Sequence, residues 1–378
     1  MAPHVLISAG EASGDVYGAG IVDALSARVP GIRFFGCAGP RMQRAGVEPV
    51  VDSSRLAVAG LVEVVSHIPR IYGEFRKIQR AARERRPELA ILTDSPDFHL
   101  PLARKLRRLG VPVIYLVAPQ VWAWRKGRLK TLRRNVDQLL CIFPFEEKFF
   151  RDNGVAATYL GHPLAWKIGP SVSKEEFFRG NDLPAGRPVV VLLPGSRGGE
   201  IHRHLPALKD CVRRLGETRA LTFVLATNPA PGRKEELQAA LGTVPVRVLE
   251  GQTWDALAYG DVALAASGTV TVEAALLGIP MVTFYRVTGL SWWMGRFLVD
   301  VPFYSMVNLV AGRRIVPELM QGEMTGERLA AEAAALLDDG GARERMKRDL
   351  AAVAAALAAE TDPMQRAAAA AAEFLEKE

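Results

Sequence analysis

Short apolar runs alternate with amphipathic stretches along most of the chain. In the first half the strand-like runs are His4–Ala9, a second ending at Gly36 and Gly39, then Leu89–Thr93, Val111–Pro119, Asp137–Phe143 and Thr158–Gly161. The second half repeats the rhythm with Val189–Leu193, Leu221–Ala226, Val246–Glu250, Asp261–Ala266 and Met281–Tyr285. Brief, almost wholly apolar runs bounded by turn residues are expected of strands covered on both faces, as in a parallel sheet. Helical periodicity fills the gaps, through Ile21, Val22 and Leu25, over Leu205–Leu215, and through Val272, Ala275 and Leu276. Asp261–Arg286 shows the unit whole: a strand, the turn Ser267-Gly268-Thr269, a helix, a stop at Gly278 and Pro280, and a second strand. The pattern predicts an α/β chain of two Rossmann-like halves, 1–164 and 165–345, with a helical Ala-rich tail over 346–378. The tail is expected to pack back on the first half or on a partner subunit. The stretch 165–187, rich in Gly, Pro and Ser, breaks the rhythm and reads as a linker.

Open α/β sheets bind ligands at the carboxyl ends of their strands, which makes the residues leaving each strand the candidates for chemistry. After the first strand comes Gly10-Glu11-Ala12-Ser13-Gly14-Asp15, a tight loop that lacks the G-x-G-x-x-G dinucleotide fingerprint. Leu89–Thr93 delivers Asp94-Ser95-Pro96-Asp97. Asp94, at the strand's end, is placed for general-base work, and Asp97 for capping the helix that follows. Trp122 and Trp124 beside Arg125, Lys126 and Arg128 suit stacking on a sugar, resting at a lipid interface, or plain packing. In the second half Gly195, Ser196 and Arg197 form a glycine-rich loop that can hold a diphosphate, with Arg197 cancelling its charge. Ser267, Gly268 and Thr269 open a helix, where free N–H groups and the positive dipole end suit phosphate; they serve equally well as helix caps. Glu273, one turn on, can accept from sugar hydroxyls or stand as a solvated first-turn acid. Asn308 can read a polar ligand edge or cap its own helix.

Composition narrows the class. The 378 residues are 49% hydrophobic and 24% charged, a globular balance. The formal net charge of +7 admits nucleic acid, an anionic membrane surface or an anionic substrate, and does not choose among them. No apolar run is long enough to cross a bilayer, and the first residues carry no basic region of a signal peptide. Cys37, Cys141 and Cys211 are too scattered for a disulfide framework or a metal knuckle. His202-x-His204 reads as surface, and neither Asp-x-Asp, a P-loop nor G-x-S-x-G occurs, so no metal site is expected. Residues 56–86 place Val62, Val65, Ile68, Ile71, Tyr72 and Phe75 ahead of a basic cluster that includes Arg76, Arg80, Arg83 and Arg86. Such a stretch fits a membrane interface, and also a packed amphipathic helix with a solvated charged face. Residues 288–299 are a second apolar stretch with an embedded cation.

Seven segments together carry a family resemblance: ISAGEASGD (7–15), TDSPDFHLPLARKL (93–106), PQVWAWR (119–125), GHPL (161–164), LLPGSRGGEI (192–201), ASGTVTVEAALLGIPMV (266–282) and NLVAGRRIVPELMQ (308–321). In this order they resemble the lipid-A-disaccharide synthases. The resemblance implies a GT-B fold, two Rossmann-like domains facing across a cleft. It further implies inverting transfer of 2,3-diacylglucosamine from UDP-2,3-diacylglucosamine to 2,3-diacylglucosamine 1-phosphate (lipid X), giving the β-1,6 disaccharide 1-phosphate and UDP. The implied reaction takes no metal or other cofactor, and no nucleic acid is implied as a partner. The implied place is the cytoplasmic face of the inner membrane, peripherally on its anionic surface, and the implied assembly a homodimer with exchanged C-terminal parts. Carried onto this sequence, Asp94 is the base for the acceptor hydroxyl, and Arg197 with Gly195, Ser196 and the Ser267-Gly268-Thr269 turn holds the departing UDP. Glu273 holds the ribose, Asn308 falls on a donor-side motif, and Glu11 and Ser13 line the acceptor side. The family often has Asn where this chain has His99. A UDP-sugar 2-epimerase-like enzyme, or a transferase with a soluble acceptor, is the alternative on the same fold.

Overall fold

A computed structural model describes residues 2–55, 61–289, 292 and 301–376, with the side chains of 55 and 61–68 outside the described set. The chain divides into two compact units, 1–166 together with 357–378, and 167–356.

Each unit is built on one wholly parallel sheet. The first contains β1 (His4–Ala9), β2 (Arg33–Ala38), β3 (Val47–Asp52), β4 (Leu89–Thr93), β5 (Val113–Leu116), β6 (Gln138–Cys141) and β7 (Ala157–Tyr159), in the order β3-β2-β1-β4-β5-β6-β7. The second contains β8 (Val189–Leu193), β9 (Thr222–Thr227), β10 (Val246–Glu250), β11 (Val262–Ala266), β12 (Met281–Tyr285) and β13 (Glu318–Met320), in the order β10-β9-β8-β11-β12-β13. The central strands are buried along their whole length, which is why they read as unbroken apolar runs. The alternation does not reveal β3 or β13. The first is an edge strand, VEPVVD, where Pro49 and two acids are tolerated, and the second has only three residues.

Strand order reverses between β1 and β4 in one unit and between β8 and β11 in the other, and such switch points open a crevice at the carboxyl edge. Register brings specific residues to each crevice. Ala9 pairs with Thr93, so Gly10 and Asp94 leave the sheet side by side. Leu193 pairs with Ala265, which brings the loop after β8 beside the turn after β11.

Two segments differ from expectation. The stretch read as a linker is largely folded: Phe177 is buried, and the Ser171 backbone N–H and hydroxyl both donate to the Asp255 carboxylate, at 2.6 and 2.7 Å. The helix after β8 starts at Gly198 rather than near Leu205, because Glu200 supplies its cap from inside the first turn. In the Ala-rich tail, Pro363–Leu375 buries Met364, Ala367, Ala368, Ala371 and Ala372, one face of a helix. Those small side chains pack on the helix Ala12–Arg28, and Arg366 ties the tail to the Leu160 carbonyl at 2.7 Å.

Candidate active site

In the first unit the loop after β1 and the end of β4 form a cradle around Asp94. Asp94 and Ser95 both hold left-handed backbone angles, φ 53° and 35°, which turn the chain sharply into the helix Pro96–Arg108. Two buried side chains hold that turn by the Asp94 carbonyl. The Tyr115 hydroxyl donates to it, and His99 Nδ1–H donates at 3.0 Å. His99 Nε2 then accepts from the Ser8 hydroxyl at 2.8 Å, which fixes the ring as one neutral tautomer. Burial pushes its pKa down to about 4, so it stays uncharged at neutral pH. The carboxylate itself accepts from the backbone N–H of Gly10 at 2.9 Å and of Glu11 at 3.1 Å. Burial nevertheless raises the Asp94 pKa to about 7, against the pull of hydrogen bonds from Ser95, Gly10 and Glu11. A carboxyl poised near neutrality is suited to taking a proton from a hydroxyl. Glu11, on that loop, and Ser13, in the first turn of the helix Ala12–Arg28, are both exposed. Asp15 is buried and serves structure, accepting from the N–H groups of Arg41 and Met42 at 2.9 and 3.0 Å.

Asp97 does not cap its helix. It lies exposed and pairs with Arg125 and Arg128, whose guanidinium groups lie over the Trp124 ring at 4.4 and 5.6 Å. Trp122 takes the packing role, buried with its indole N–H donating to the buried Glu146 at 3.1 Å.

In the second unit the glycine-rich loop differs from expectation in one respect. The N–H groups of Ser196 and Arg197 both donate to Glu200 Oε2 at 3.3 Å, so they serve the loop's own acid rather than a diphosphate. Gly195, at φ 111°, is needed for that acid: an added Cβ would lie 2.8 Å from Glu200 Oε2. The Arg197 side chain is 71% exposed and pairs with Glu200 at 3.3 Å through one guanidinium nitrogen, leaving most of its fork open to an anion. The Ser267 hydroxyl donates to the Tyr304 carbonyl at 2.8 Å, and no side chain caps the helix Thr269–Leu276. Its first amides therefore face outward at exposed Gly268 and Thr269. Glu273 is half-buried; burial raises its pKa, and a hydrogen bond from Trp254 opposes the rise.

Three expectations need correction. Asn308 is fully buried and its amide is fully used. Oδ1 accepts from the N–H groups of Ile315 at 2.7 Å and Val316 at 3.0 Å, while Nδ2 donates to the Val316 carbonyl at 3.0 Å and to Glu318 at 2.9 Å. No capacity remains for a ligand, and the helix cap is Ser305. Glu318 in turn accepts from the N–H groups of Tyr304 and Ser305, so Asn308 steadies the loop on which Ser267 leans. His204 is not a surface residue: it is buried, with Nδ1–H on the Pro194 carbonyl at 2.7 Å and Nε2 accepting from Arg286 N–H at 3.0 Å. On the helix Leu61–Arg85, Phe75 is half-buried and meets Phe98 edge-on at 5.5 Å, which makes it a packing residue. Ile71 is also half-buried, whereas Tyr72, Arg80 and Arg83 are exposed. The side chains of Val62, Val65 and Ile68, and residues 293–299 of the second apolar stretch, lie outside the described residues.

The sequence points to Asp94 and to the turns of the second unit, but not to what holds them. His99, Tyr115, Glu200 and Glu318 act from strand interiors or helix turns, where apolar patterning conveys nothing of hydrogen-bond partners.

Comparison with known proteins bears on this geometry. A family model described as lipid-A-disaccharide synthetase matches residues 5–373. A lipid-A-disaccharide synthase of Solibacter usitatus is 61% identical over 99% of this chain and 98% of its own. One from Myxococcus xanthus is 44% identical over the same shares of the two chains, 99% and 98%. Among solved structures, a UDP-GlcNAc 2-epimerase of Neisseria meningitidis bound to UDP-GlcNAc aligns with TM-score 0.64 at 12% identity, covering 100% of both chains. The glycosyltransferase of kitacinnamycin aligns with TM-score 0.64 at 19% identity, covering 99% of both. The solved structures establish the fold and leave the activity to the closer relatives. The chain belongs to the lipid-A-disaccharide synthase family, glycosyltransferases of lipid A biosynthesis built on the GT-B fold.

Proposed function

We propose that the chain transfers 2,3-diacylglucosamine from UDP to the 6-hydroxyl of 2,3-diacylglucosamine 1-phosphate, with inversion and without a metal ion. The observation that carries this reading is Asp94, a carboxyl cradled by two backbone amides, with its pKa raised by burial to about 7, at the switch point of the first sheet. Asp94 takes the proton of the attacking hydroxyl, the new C1–O6 bond forms, and the bond from C1 to the diphosphate breaks. In-line displacement requires the incoming hydroxyl on one face of the anomeric carbon and the leaving group on the other. The first half supplies the base. The second supplies charge for the leaving group through Arg197 and the uncapped amides at Gly268 and Thr269, with Glu273 for the ribose. Exposed Glu11 and Ser13 flank the acceptor beside Asp94.

A single-turnover assay with labelled acceptor, UDP-linked donor and EDTA tests the reading. Disaccharide formation is the expected result. Release of UDP without disaccharide would remove the acceptor assignment and leave the fold untouched.

Both substrates carry acyl chains, and we place the reaction at the anionic cytoplasmic face of the inner membrane. Among the described residues no helix is long and apolar enough to cross a bilayer. The helix Leu61–Arg85 shows Tyr72, Arg80 and Arg83 to solvent and adjoins Pro96–Arg108. Between that second helix and Leu129–Asn135 runs a groove of about 670 Å³ lined by Arg104, Lys105, Arg108, Lys130 and Arg134. None of these five forms an ion pair with a described residue, as suits a surface that meets phosphate headgroups. Each basic residue near such a surface contributes about 1 kcal/mol, so reversing Arg80, Arg83 and Arg86 to Glu should weaken binding to anionic vesicles by at least about 100-fold. Flotation equal to wild type would move the docking face elsewhere.

A further inference from the structure

Beside the candidate base, two guanidinium groups converge on one carboxylate oxygen. Arg125 reaches Asp97 Oδ1 at 2.8 Å, and Arg128 meets the same atom. Both cations lie over the face of Trp124, which restrains their planes. The Asp97 side chain is 72% exposed, and ion pairs so open to water contribute little to stability. The backbone here is nonetheless strained. Of the seven non-glycine residues with positive φ among the described residues, Asp94, Ser95, Val117 and Arg125 lie on the segments leaving β4 and β5. Strain concentrated at one sheet edge is characteristic of a ligand site, and a weak surface pair does not account for it.

We propose that Arg125 and Arg128, braced on Trp124, bind the anomeric phosphate of the acceptor, and that Asp97 occupies this clamp until the phosphate displaces it. The inference rests on the transfer reaction proposed above and names the part of the acceptor that this edge recognises. Two guanidinium groups and one carboxylate leave a charge of +1, whereas two guanidinium groups and a phosphate dianion are balanced. The planar forks also match phosphate oxygens bidentately. Clamp and base share one field: the pKa of buried Tyr115, whose hydroxyl donates to the Asp94 carbonyl, is raised chiefly by burial, then by Asp94, lowered by Arg128 and raised by Asp97. In the acceptor, the 1-phosphate and the 6-hydroxymethyl group sit on the two carbons flanking the ring oxygen. A phosphate held by the clamp therefore turns the hydroxyl toward Asp94. These are positioning contacts, so their loss acts on acceptor KM.

The test compares the phosphorylated acceptor with the same diacyl sugar bearing a 1-O-methyl group. Wild type should prefer the phosphorylated form. Arg128→Ala should raise acceptor KM by about 10-fold or more, with kcat and donor KM within about 2-fold, as expected for lost charge-assisted hydrogen bonds. Arg128→Lys should recover part of the loss. The Arg125→Ala/Arg128→Ala double variant should treat the two acceptors alike, and Asp97→Asn should tighten phosphorylated-acceptor binding several-fold by removing the competing carboxylate. A double variant that keeps the wild-type preference for phosphate would overturn the clamp. Calorimetric binding of the phosphorylated acceptor to the same variants reads the clamp separately from the chemistry, so a protein that binds it through these arginines but forms no disaccharide refutes the reaction alone.

Discussion

Asp94→Ala lowers the single-turnover rate of disaccharide formation by about three orders of magnitude, within the range expected for loss of a general base. The reason lies in how the carboxyl is held. Its main chain is fixed by Tyr115 and His99 and its oxygens by Gly10 and Glu11, so no neighbour can take over its position when the side chain is gone. In wild type the pKa near 7 puts the pH limb within easy reach. The base must be ionised, so kcat/KM rises about tenfold per pH unit below 7 and levels off above it. Stability runs the other way. The folded pKa lies above the ordinary 3.8, so the folded state holds a proton that the unfolded chain has released. That contribution is fully present below about pH 4 and is lost as pH rises through about 7, an effect on the order of a few kcal/mol. Asp94→Asn removes this group's titration and should flatten its part of the stability–pH curve between those limits. A variant that keeps wild-type turnover at pH 8 would take the base assignment away.

The sequence showed most of the framework and about half of each site. Strand runs such as Leu89–Thr93 and Val189–Leu193 were legible because strands in a doubly covered sheet are apolar at every position. The turn residues after them were legible because ligands gather at strand ends. Edge strand β3 was not, since half of its residues face solvent and carry no signal. Asn308 is illegible for a different reason. Its type and its place near a helix start suit a ligand contact, and only the fold reveals that Ile315, Val316 and Glu318 use all of its hydrogen-bonding capacity. The loop Gly195-Ser196-Arg197 falls between these cases. Its glycines mark a tight loop, but the sequence does not show that the group packed against Gly195 is the Glu200 carboxylate. A polar partner distant in sequence, such as Tyr115 for Asp94, leaves no trace in local pattern.

Gly14→Ala should impair transfer nearly as severely as loss of Asp94 itself, although residue 14 touches no substrate in the reaction proposed here. Gly14 lies in the helix Ala12–Arg28, where alanine is otherwise the better helix former. A Cβ at this position would stand 1.7 Å from Asp94 Oδ2 and 2.8 Å from its carboxyl carbon. Real carbon and oxygen atoms do not approach so closely, so the carboxylate must rotate away and give up its bond to Glu11 N–H. The side chain has little room to recover, because Ser95 and Gly10 border its other oxygen and the Asp94 backbone is pinned in a left-handed turn. A displacement of about 1 Å in a reacting group costs on the order of 100-fold in rate. The expected result is a fall in kcat of at least about 100-fold, with donor KM close to wild type because the donor residues lie on the other sheet. Circular dichroism and gel filtration should show a folded protein. Gly31→Ala is the matching control: residue 31 has a positive φ of its own, yet an added Cβ there would stand no nearer than 3.7 Å to any neighbour. That substitution should cost stability through backbone strain and leave kcat unchanged. Equal losses of turnover in the two variants would mean that Gly14 matters for folding, and that the close fit of the first helix against Asp94 has no part in catalysis.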